Sequence, residues 1–134
     1  MINLYGPAIV KGIGLFLTLY FIHVVLLPQL VGESAATGDY QGLLYGINQL
    51  LGLATCMIPG FMAARMAGHH GFLHGLLVGG ISTVLTALMA MLWSIITGAK
   101  FFGLEMLPFW LVMNGFLSAF AGLLATNMTE SEEE

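Results

Sequence analysis

The chain has 134 residues, 58% of them hydrophobic, with three basic and seven acidic side chains and a formal net charge of −4. Soluble domains carry about 25% charged residues, and disordered chains combine low hydrophobicity with high charge, so this composition excludes both. Three cations cannot neutralise a row of phosphates, which excludes nucleic acid as a partner, and one cysteine, Cys56, excludes an intramolecular disulfide.

The charges fall at Lys11, Glu33, Asp39, Arg65, Lys100, Glu105, Glu130, Glu132, Glu133 and Glu134. They leave charge-free stretches from Gly12 to Gly32, Tyr40 to Ala64, Met66 to Ala99 and Met106 to Thr129. Each stretch supplies the about 20 residues needed to cross about 30 Å of hydrocarbon. Only helices satisfy the backbone of such segments in lipid. The expected fold is all-α: a polytopic membrane protein with four transmembrane helices in two antiparallel hairpins, near residues 8–31, 40–65, 72–97 and 105–127, with the bilayer as partner. Residues 128–134 are expected to form an acidic cytoplasmic tail.

In chain order, the first helix carries His23 in its outer half beside Tyr20, and Pro28 in its last turns. One lysine precedes the span and no small-residue cleavage site follows a short apolar core, so the first span is expected to stay attached. A polar connection from Gly32 to Asp39 leads to the second helix, where Gly42, Gly46, Gln49, Cys56, Gly60 and Ala63 form one stripe. Asn48, Gly52, Thr55 and Pro59 flank that stripe, and Arg65 at the helix end is expected to anchor at lipid phosphates or terminal carbonyls. A tight turn, Ala67 to Gly71, opens the third helix, whose Gly75, Gly79, Ser82, Thr83, Thr86, Ala87 and Ala90 make a continuous small face. The fourth has Pro108 in its first turn and Gly115, Ala119, Gly122 and Thr126 beside Asn114 and Ser118. Phe116, Leu117, Phe120, Leu123 and Leu124 are expected to project away, toward lipid or a partner.

Helices associate in lipid through close approach at small residues and through interhelical hydrogen bonds. The expected packing positions are therefore Gly42, Gly46, Gly75, Gly79, Ser82, Thr86, Gly115, Ala119 and Gly122. The intramembrane polar residues His23, Asn48, Gln49, Asn114 and Ser118 are costly facing hydrocarbon, and Asn48 and Asn114 are expected to bond each other or backbone carbonyls. No Asp, Glu, Lys or Arg lies at mid-membrane, which argues against an ion-coupled carrier.

His69, His70 and His74 are the sharpest chemical cluster. His70 and His74 share a face if the third helix begins by residue 70, but zinc needs three or four ligands. Neither a metal nor another cofactor is expected, and headgroup contact or a helix-to-helix bond is the expected role. A nucleophile elbow, a phosphate loop and paired carboxylates are all missing from the sequence, so no enzymatic activity is expected.

The segment Gly60-Phe61-Met62-Ala63-Ala64-Arg65-Met66-Ala67-Gly68-His69-His70-Gly71-Phe72-Leu73-His74-Gly75-Leu76-Leu77-Val78-Gly79-Gly80 resembles the joint between second and third helices in small bacterial four-helix membrane proteins labelled YrzE-like. Those proteins pair a Gly-x-x-Ala-Ala-Arg helix end with a Gly-x-x-His-Gly helix start. The resemblance implies the architecture and a bacterial inner membrane, and carries no catalytic residue or cofactor.

An offset of 62 or 63 residues pairs Gly60–Met66 with Gly122–Met128, as a duplicated hairpin would. Lys11 and Arg65 against Lys100 place both termini in the cytoplasm by the positive-inside rule. Tyr40, Tyr45, Trp93, Phe101, Phe102 and Trp110 then gather at the outer interface. The functional expectation is a non-enzymatic protein acting by lateral helix association, as a homo-oligomer or as a subunit of a larger membrane complex. The alternative is a small channel or carrier for a neutral or weakly selective solute.

Overall fold

A computed structural model describes residues 3–27, 29, 43–98 and 104–130. Within them lie four helices long and apolar enough to cross a membrane, spanning Gly6–Leu26, Gly46–Ala67, Gly71–Thr97 and Leu104–Met128. Helix α1 is Gly6–Phe21, continued by a π-helical turn over Ile22–Leu26. Helix α2 is Leu43–Ala67, α3 is Gly71–Thr97, and α4 is Leu107–Glu130, entered through a 3-10 turn at Leu104–Met106.

The boundaries follow from local chemistry. Pro7 occupies the first turn of α1, where its missing N–H costs nothing, so the helix starts two residues before the expected residue 8. Between α2 and α3 the chain reverses through Gly68 (φ +70) and His70 (φ 48), both left-handed, and α3 begins only at Gly71. Gly98 (φ +70) closes α3, its N–H bonded to Ser94 O at 2.9 Å. The last helix continues to Glu130, so residues 128–130, expected as tail, belong to α4. Thr129 and Glu130 follow residue 127 with no Gly or Pro between, and nothing in the sequence stops the helix. Glu33, Asp39, Gly42, Lys100 and residues 131–134 lie outside the described residues.

Helix α1 packs on α2 and α3, α4 packs on the same two helices, and α2 and α3 touch each other, the α3–α4 contact being the most extensive. The α3–α4 pair is antiparallel and zipped by small residues four apart. Gly71 lies against Gly122 and Thr126, Gly75 against Ser118 and Ala119, and Gly79 against Asn114 and Ser118. A Cβ on any of these glycines would strike the facing backbone or Ser118, which explains why the zipper holds glycine there. Gly60 of α2 meets the same Ser118, and Gly12 of α1 would place a Cβ 2.7 Å from Val78 and 3.0 Å from Ala63. Ala8, Ala63 and Val78 form the apolar core at this end, flanked by Ile9 and Ala67.

One expectation about packing needs correction. Gly46 is exposed, with nothing within 4 Å of where its Cβ would be, so it is not a packing glycine. It lies at the end of the bundle away from the zipper, where the helices separate. Gly60 faces Ser118 of α4, and Gly122 faces Gly71 of α3.

Candidate functional site

Burial is concentrated near the α2–α3 turn. In α3 every buried residue lies between Gly71 and Thr86, and the distal half, Ala87 to Thr97, has none. The distal halves of the four helices diverge around a cavity of ≈ 800 Å³. Its floor is formed by Phe16, Cys56, Thr83, Asn114 and Leu117, and its rim by Val24, Asn48, Gln49, Ala90, Leu107 and Trp110. The span of α4 from Leu107 to Leu117 makes the cavity about 15 Å deep, half of a hydrocarbon core of about 30 Å. Below the floor the glycine zipper brings backbone against backbone.

Several polar side chains in the cavity are held by hydrogen bonds. Asn114 joins three helices: its Oδ1 accepts from the Cys56 thiol at 3.2 Å, and its Nδ2 donates to Thr83 Oγ1 at 3.0 Å. Thr83 Oγ1 in turn donates to Gly79 O at 2.7 Å, so the hydroxyl is both donor and acceptor. Intramembrane hydrogen bonds contribute about 0.6 kcal/mol each on average, so the two Asn114 bonds orient the amide more than they hold the bundle. Nearer the rim, His23 Nε2–H donates to Asn48 Oδ1 at 3.0 Å. Gly52 makes room for that ring, since a Cβ there would lie 3.2 Å from His23 Cε1.

His23 lies in the π-helical turn Ile22–Leu26. Such turns insert one residue per turn and re-aim side chains, and they recur at functional sites. Asn48 and Asn114, expected to bond each other or backbone carbonyls, instead bond side chains: Asn48 to His23, and Asn114 to Thr83 and Cys56. Gln49 lines the rim as well. Ser118 is fully buried in the zipper, and its hydroxyl has no partner, as is also true of Ser82. Leu117, expected to face away from the bundle, lines the cavity, while Phe116, Phe120, Leu123 and Leu124 are exposed along α4. Thr86 is buried with its hydroxyl on Thr83 O, and Gly115 and Ala119 are buried too.

At the opposite end the histidines work as a latch. His74 is fully buried, and its Nε2 accepts from the Tyr5 backbone N–H at 3.0 Å while Nδ1–H donates to His70 O at 3.0 Å. Both ring nitrogens are thus engaged in one neutral tautomer. His69 Nε2–H donates to Asn3 O at 2.8 Å, and its ring stands edge-on to those of His70 and His74. His70 precedes α3 in the left-handed region, so the helical pair of ligands from His70 and His74 does not form. Among the described residues no group of three or more His, Cys, Asp or Glu side chains is placed to hold a metal. Arg65 is exposed in the last turn of α2, where a cation favours the helix dipole.

The sequence reading missed several contributors to the site. Phe16, Tyr20, Trp110 and Met113 supply much of the cavity's apolar surface. Their signal was available only as a shared helical face, since 16, 20 and 23, like 110, 113, 114 and 117, recur at spacings of three and four. No protein-family model matches the chain, and comparison with curated proteins and with solved structures finds no similar protein.

Proposed function

We propose that the protein holds a small uncharged solute in the distal cavity, as a carrier or as the ligand-bearing subunit of a membrane system, without performing catalysis. One observation carries this reading. His23, Asn48, Gln49, Cys56, Thr83 and Asn114, drawn from all four helices, converge on a single cavity that contains no Lys, Arg, Asp or Glu. Its volume falls in the range of about 300–1,000 Å³ typical of small-molecule sites, with the usual mixture of apolar walls and few polar groups. The closed zipper beneath it supports a holding site or a carrier in preference to an open channel.

Thiol accessibility tests the proposal. With Cys56 replaced by alanine, cysteines at Asn48 and Asn114 should both react with a small polar thiol reagent, the first faster because it lies at the rim. A cysteine at Val112, which is exposed on the outer surface of α4, should stay unreactive in lipid. Protection of both cavity positions would remove the reading.

Lateral association, as a homo-oligomer or as a subunit of a larger membrane complex, is a second proposal. In the distal part of α3, Leu88, Leu92, Ile95 and Ile96 are all more than half exposed and fall on one helical face, which lipid or a second copy would cover. The small-residue faces that first pointed to assembly do not add support, because Gly71, Gly75, Gly79 and Gly122 are consumed within the bundle. Native mass measurement after gentle extraction is expected to show more than one copy, and a monomer at 14.4 kDa that resists crosslinking in membranes would oppose it. Cytoplasmic termini, an inner-membrane address and kinship with the YrzE-like proteins belong to the same proposal. Reporter fusions after residues 68 and 134 should then lie inside, and those after 36 and 100 outside.

A further inference from the structure

We propose that the cavity selects an uncharged amphiphile taken from the bilayer, its hydrogen-bond-accepting head seated at Asn114 and its apolar body along Phe16, Trp110 and Leu117. This rests on the reading of the cavity as a solute site and narrows it to one chemical class.

Three observations define that class. The lining has no formal charge, so an ionic ligand would be desolvated without a counter-charge, which is prohibitively costly at this depth. The polar capacity left over includes amide donors at the floor and at the rim, beside acceptors such as His23 Nδ1 and Gln49 Oε1. Asn114 spends one amide N–H on Thr83 and its Oδ1 on Cys56, leaving its second N–H, and Asn48 spends only its Oδ1 on His23. An oxygen acceptor such as an ester, ketone or hydroxyl matches these groups. The walls between floor and rim are apolar, with Val24, Leu53, Leu107, Trp110 and Met113 around the cavity, so a polyol would bury hydroxyls there without partners.

The route of entry follows from helix packing. Among the described residues, the Ile22–Leu26 turn packs on α2 and makes no comparable contact with α3. The His23–Asn48 bond and the His23–Gly52 contact hold it to that side. Distal α3 offers no buried residue in return. Among the described residues, the wall between α1 and α3 is therefore open at hydrocarbon depth, where an amphiphile resides and a hydrophilic solute does not.

Trp110 provides the readout. The chain has two tryptophans, and Trp93 is exposed outside the cavity, so Trp93→Phe leaves Trp110 as sole reporter. The full-length variant is placed in phosphatidylcholine nanodiscs and titrated with a monoacylglycerol brominated in its chain, or with a permanently charged sulfonate carrying the same brominated chain. The monoacylglycerol should quench saturably at a mole fraction at least tenfold below the sulfonate. Asn114→Leu should reduce that preference about tenfold, the factor corresponding to 1.4 kcal/mol. Asn114→Ser, which withdraws the amide and keeps a hydroxyl, serves if leucine prevents folding.

Equal quenching by both probes, or a preference unchanged in both Asn114 variants, would overturn the ligand class. If cysteines at positions 48 and 114 still react under those outcomes, the solute-site reading stands and a hydrophilic solute replaces the amphiphile. Unreactive cysteines with no saturable quenching would defeat both.

Discussion

Replacing Gly75 by leucine is expected to cost about 3 kcal/mol or more, at the top of the range for overpacking, enough to unfold much of the bundle. A Cβ at Gly75 would collide with Ser118 O and lie 2.8 Å from Ala119 Cα, and both are backbone atoms of a rigid helix that cannot swing aside. Relief requires α3 and α4 to separate, and their separation breaks the Gly71–Gly122 and Gly79–Asn114 contacts on either side. Even Gly75→Ala should lower stability measurably. Gly46→Leu is the matched control: it adds the same side chain where nothing lies within 4 Å, and should change stability by less than about 0.5 kcal/mol. Denaturant titration in detergent, followed by circular dichroism, reads both. Equal midpoints for Gly75→Leu and the parent would show that the zipper does not hold the bundle.

That contrast between two glycines also shows what the sequence could convey. Four helices were legible because charges are absent over membrane lengths, a property of composition that needs no partner. The faces of α3 and α4 were legible because Gly75 and Gly79, and Ser118 and Gly122, repeat at one helical turn. Which face meets which depends on the register between helices, and a shift of one residue rotates a face by about 100°. Gly46 and Gly60 share one stripe of α2, yet only Gly60 lies in the half where the helices touch.

The cavity was half legible for the same reason. The polar residues stand out against an apolar background, so His23, Asn48, Gln49 and Asn114 were identifiable individually. Their partners were not. The π-helical turn at Ile22–Leu26 changes the direction of His23 without a proline or glycine inside the turn to announce it. Thr83 belongs by spacing to the small face of α3, yet its hydroxyl accepts the Asn114 amide. Leu117, grouped by sequence with Phe116 and Phe120, lies three residues beyond Asn114 and one turn from Met113, on the cavity side.

The histidine latch has a consequence separable from metal binding and from simple packing. His74→Ala is expected to destabilise the protein by about 2 kcal/mol or more, since it empties a fully buried site and deletes two hydrogen bonds. His74→Phe fills most of the volume but offers no acceptor to the Tyr5 N–H, so it should recover part of the stability and none of the anchoring. Hydrogen exchange at the Tyr5 amide reports the anchoring directly: it should be slow in the parent and fast in both variants. His69→Ala removes one bond, to Asn3 O, from an exposed side chain and should cost less than about 1 kcal/mol. Added zinc should leave the parent's stability unchanged, because both His74 nitrogens are already engaged and His70 lies outside the helix. If His74→Phe instead kept Tyr5 protected, the N-terminal strap would be held by apolar packing of Ala8 and Ile9 on Ala63, Ala67 and Val78, with the imidazole a bystander.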